Sequence, residues 1–76
     1  MSKAQFISSL REILQTDVDI TEDTNLRQVE GYDSMAVLSI IAFFDETFQQ
    51  TVEAERFENV NTVSDLMGLI GRHHFD

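Results

Sequence analysis

The segment Gly31-Tyr32-Asp33-Ser34-Met35-Ala36-Val37-Leu38 joins a polar loop to an apolar helix. Before it, residues 16 to 33 are rich in Asp, Thr, Asn and Glu and carry no long hydrophobic period. After it, Val37, Ile40, Ile41, Phe44 and Phe48 recur at helical spacing. Asp is a favoured helix cap, so Asp33 predicts a helix from about 34 to 49. Ser34 then offers one hydroxyl in the first turn. Unpaired backbone N–H groups and the positive end of the helix dipole favour a phosphate there. An Asp-Ser pair alone signals no more than a plain N-cap, so the rest of the chain decides how Ser34 is read.

Upstream, Ser2-x-x-Gln5 is a capping-box pattern, and Phe6, Leu10, Ile13 and Leu14 follow at helical spacing. A first helix is expected from about 3 to 15. The long segment to Asp33 reads as an ordered loop held by Val18, Ile20, Leu26 and Val29, because loops of this length are usually functional or packed by their own side chains. In the second helix, Met35, Ser39, Ala42 and Glu46 fall opposite the apolar stripe, flanked by Leu38. A short helix near 53 to 59 carries Phe57. A last helix starts at an Asn61 or Thr62 cap, presents Val63, Leu66, Met67 and Ile70, and stops at Gly71. No stretch alternates with period two. The expected fold is a single all-α domain over 1–76, a small bundle of three main helices and one short one.

Seventy-six residues allow one modest core and little room for an enzymatic cleft. The formal net charge of -9 disfavours nucleic acid and anionic lipid and favours a basic protein partner. There is no cysteine. Disulfides and a protein thiol nucleophile are therefore excluded. No apolar run approaches the roughly 18 residues of a membrane span, and the first residues lack a signal peptide's apolar segment. A cytoplasmic, monomeric protein is expected.

The residues around Ser34 resemble the attachment motif of acyl carrier proteins, Asp-Ser-Leu or Asp-Ser-Met. Ile20-Thr21-Glu22-Asp23-Thr24-Asn25-Leu26 resembles that family's first loop, Phe44-Asp45-Glu46-Thr47-Phe48 the end of its second helix, and Asn61-Thr62-Val63-Ser64-Asp65-Leu66 the start of its last. The resemblance covers nearly the whole chain without an evident insertion. It implies that Ser34 carries 4′-phosphopantetheine, attached by a phosphopantetheinyl transferase using CoA, with Asp33 beside it as motif residue and cap. It also implies a carrier, without catalytic residues, that presents acyl thioesters to acyl-transferring or acyl-modifying enzymes with basic docking surfaces. Rival readings are a peptidyl (aminoacyl) carrier and an unmodified acidic interaction domain.

Many fatty-acid carriers hold acidic residues just after the serine. Here that turn holds Ala36 and Ser39, and acidity returns only at Asp45, Glu46, Glu53, Glu55 and Glu58. The expected docking face is Met35, Leu38, Ser39, Ala42, Asp45 and Glu46, an apolar ridge with a displaced acidic rim. The missing early acids point to a specialised, stand-alone member, of a kind found in secondary-metabolite or cell-surface sugar pathways as well as fatty-acid or polyketide synthesis. Asp17, Asp19 and Thr21 have EF-hand spacing, but Glu22 replaces the needed glycine and Gln28 stands where a bidentate Glu belongs, so no calcium loop is expected. His73-His74 reads as a solvated tail without metal-ligand spacing.

Overall fold

The computed structural model describes residues 1–75. It is helical, with no strand among the described residues. Helix α1 spans Lys3–Leu14, α2 Ser34–Phe48 and α3 Val63–Gly68; 3-10 turns lie at Leu26–Gln28, Ala54–Asn59 and Arg72–His74. The expected bundle is thus present, with a last helix of only six residues and a short fourth element of 3-10 type. No helix among the described residues is long and apolar enough to cross a membrane.

The caps follow the sequence closely. Ser2 and Gln5 close the capping box of α1. Thr62 and Asp65 close that of α3. Both long helices end on a glutamine in the left-handed region, Gln15 at φ 54 and Gln49 at φ 55, a conformation more often given to glycine.

Phe6, Leu10 and Leu14 of α1 meet Ile40 and Phe44 of α2 and Val63, Leu66 and Met67 of α3 in one buried cluster. The α2 stripe is rotated from the expected one. Ile40 and Phe44 are fully buried, but Val37, Ile41 and Phe48 are only half-buried, and Ala36 is 4% exposed. Ala36 therefore leaves the surface face. Its small side chain lies beside the Ile13–Leu14 end of α1, and Phe43 turns toward Phe6 with ring centroids 6.1 Å apart.

The long loop docks on the start of α3. Leu26 N–H donates to the Asn61 carbonyl at 2.7 Å, Val63 N–H to Thr24 at 3.2 Å and Ser64 N–H to Glu22 at 2.9 Å. Ile20 and Leu26 are buried anchors and Val29 packs on the core. Val18 is not an anchor. It is 61% exposed, turned outward where its N–H donates to the Thr16 hydroxyl. Arg27 supplies a tie that apolar spacing cannot announce. Its Nε donates to the Val60 carbonyl and to Asn61 Oδ1, and its Nη2 to the carbonyls of Phe57 and Glu58.

The solvated tail expected at His73-His74 is also corrected. Gly71, at φ 100, turns the chain back, and Phe75 is buried against Phe6 and Phe48, with centroids 4.9 and 5.6 Å away. His74 rests on Phe48 at 5.2 Å, and only His73 stays exposed. Covering the edge of the aromatic cluster outweighs full solvation of the His74 imidazole.

Candidate functional site

Ser34 is the first residue of α2 and is exposed. The turn before it is built by Asp33, whose extended backbone (φ -135, ψ -171) carries the chain into the helix. The Asp33 carboxylate accepts from the Ala36 N–H at 2.9 Å, and its carbonyl accepts from Val37 N–H at 3.0 Å. Asp33 is the cap, which leaves the Ser34 hydroxyl uncommitted. The Ser34 and Met35 amides have no partner among the described residues. Free donors at the positive end of a fifteen-residue helix fit a phosphodiester on Ser34.

A cleft of about 380 Å³ opens beside Ser34, between α2 and the Ala54–Asn59 turn. Val37, Leu38, Ala54 and Phe57 give it apolar walls, while Arg27, Tyr32 and Glu58 add polar groups. Arg27 holds the far wall by its bonds to the Phe57, Glu58 and Val60 carbonyls. Burial pushes the Tyr32 phenol above its ordinary range, and the Arg27 charge partly opposes that. The phenol is therefore a neutral hydroxyl through the physiological range.

The six residues of the anticipated docking face are all exposed, Met35 by 71% and Leu38 by 57%. They share the exposed side of α2, which is bordered by two hollows. Leu38 belongs to the cleft. Met35 and Ser39 line a separate groove with Ile13 and Leu14 at the end of α1. Ala42, Asp45 and Glu46 lie further along the helix, Asp45 roughly 16 Å from Ser34 at 1.5 Å per residue. Arg27, Tyr32 and Phe57, which line the cleft, were not among the anticipated site residues. Tyr32 stood in the decisive segment and Arg27 is one of five basic residues in an acidic chain, but neither has a periodic signal that would bring it to Ser34.

An exposed serine on a capped helix start, beside an apolar-walled cleft, is the candidate site of this small all-α bundle. The family model for the phosphopantetheine attachment site matches residues 4–70. The chain belongs to that family and is a phosphopantetheine carrier protein, whose prosthetic group is 4′-phosphopantetheine. It is similar to an acyl carrier protein of Exiguobacterium sibiricum, 27% identical over 75 residues that cover 92% of this chain and 95% of the relative. No solved structure matches the chain.

Proposed function

We propose that Ser34 is the attachment residue and that the cargo is an acyl group. The observation that carries this reading is the joint position of Ser34, exposed on a helix start already capped by Asp33, at the mouth of a cleft walled by Val37, Leu38, Ala54 and Phe57. When bound, the prosthetic group supplies a thiol on a flexible arm, which a chain without cysteine lacks. The chain's own part is to hold the anchor, shield cargo and present it; it acts as a carrier rather than an enzyme.

Attachment would form a bond from Ser34 Oγ to the phosphorus of CoA that bears pantetheine. The pyrophosphate link breaks, 3′,5′-ADP leaves, and the serine proton passes to a base of the transferase. Asp33 keeps Oγ free by taking the capping bond itself. Partners with basic surfaces would be steered by Asp45, Glu46, Glu53 and Glu55, all exposed, while Met35 and Leu38 supply apolar contact. This reading sets the chain's work in the cytoplasm with its CoA-using transferase.

An acyl cargo is preferred to an aminoacyl one because the cleft walls, Val37, Leu38, Ala54 and Phe57, are apolar. The test offers the holo protein to an acyl ligase and to an amino-acid-adenylating enzyme. Loading by the first alone is expected; loading by the second alone overturns the acyl assignment.

A further inference from the structure

Tyr32 stands two residues before Ser34, and its hydroxyl is buried without a hydrogen-bond partner among the described residues. A buried donor left unpaired is costly, and this one belongs to a side chain lining the cleft beside Ser34. The carbonyls of Phe57, Glu58 and Val60 accept from Arg27, as does Asn61 Oδ1. Arg27 and Glu58 line the same cleft with opposite charges, so it is the donor hydroxyl that calls for an oxygen acceptor. We propose that the Tyr32 hydroxyl donates to a carbonyl oxygen of the attached group, which makes Tyr32 a specificity-determining residue of the cleft.

This inference rests on Ser34 being the attachment residue. A saturated hydrocarbon fills the apolar walls but leaves the phenol unpaired. A carbonyl at the right depth satisfies it, and sites built around such a bond discriminate against groups that lack it. The acceptor has two sources, the amides of the arm or the carbonyls of the cargo.

The experiment loads wild type and Tyr32→Phe from CoA, octanoyl-CoA and 3-oxooctanoyl-CoA with a broad-specificity transferase, and intact mass establishes each adduct. Tyr32 is the only tyrosine and tryptophan is absent, so the near-ultraviolet band reports this phenol against a weak phenylalanine background. It should move to longer wavelength in wild type on loading. A shift already present with the bare arm assigns the acceptor to the arm; one first appearing with either acyl form assigns it to the cargo. Unloaded Tyr32→Phe should melt at or above wild type, and on loading with the matching group it should gain about 4–8 °C less than wild type, the worth of one net hydrogen bond in a domain of this size. Adducts of the expected mass with an unmoved band in all three forms overturn the proposal alone. No adduct on wild type overturns the attachment reading, and the proposal with it.

Discussion

Gly31 lies directly against Leu14, the last residue of α1: a Cβ on Gly31 would stand 2.5 Å from the Leu14 carbonyl oxygen. Gly31 also has φ +100, a conformation side chains resist. The loop thus closes onto the first helix three residues before Ser34. Gly31→Ala meets both backbone strain and a backbone clash that no side-chain rotation relieves. It should destabilise the fold by more than about 1 kcal/mol. Denaturant melts measure this; an unchanged midpoint would show that the approach to Leu14 is not required.

Phe44 and Leu38 separate stability from function. Phe44 is 0% exposed, so Phe44→Ala should cost about 3–5 kcal/mol. Leu38 is 57% exposed, so Leu38→Ala should leave the melt near wild type and reduce turnover by a cognate enzyme. Melts and partner kinetics on both variants check this. A normal melt with normal turnover for Leu38→Ala would remove Leu38 from the docking face.

Asp65 makes the start of α3 sensitive to acid. Its carboxylate accepts from the Thr62 and Asn61 N–H groups, both at 3.0 Å, and these bonds hold its pKa below the ordinary carboxylate value, with Arg72 adding to the effect. The native pKa is lowered, so the ionised form is favoured in the folded state. The stability is full above the unfolded value of about 3.9 and is lost as pH falls through the lower native value. Asp65→Ala should melt below wild type at pH 7, and the gap should close as pH falls below about 4. A gap independent of pH would show that the carboxylate charge contributes nothing.

Acidic residues outnumber basic ones, fourteen to five, and Asp17, Asp19 and Asp23 are exposed in the same loop. Millimolar magnesium should raise the melting temperature, more per mole than sodium, by screening carboxylate repulsion. A flat response to both salts would contradict that repulsion.

The helices were legible because their signals are local. Ser2, Asp33 and Thr62 each precede a helix and cap it as their residue types dictate, and Phe6, Leu10 and Phe44 lie at core spacing. The rotation of α2 was not legible. Val37 and Ala36 differ by one position, and only the approach of α1 decides which is covered. Val18 looks as apolar as Ile20, yet it is 61% exposed and Ile20 is buried. The tail's return depends on Gly71 and on an aromatic cluster assembled from Phe6, Phe48 and Phe75, residues far apart in sequence. Asp33 as cap and Ser34 in the first turn of α2 could be read directly. The cleft could not, because Arg27 and Phe57 meet across thirty positions through a side-chain-to-carbonyl bond.

The most direct test is intact mass after incubation with CoA and a broad-specificity phosphopantetheinyl transferase. Wild type should gain one phosphopantetheine, and Ser34→Ala should gain none while keeping its helical circular dichroism, since Asp33 rather than Ser34 caps α2. Equal modification of Ser34→Ala, or an unmodified wild type, would contradict the assignment of Ser34 as the anchor.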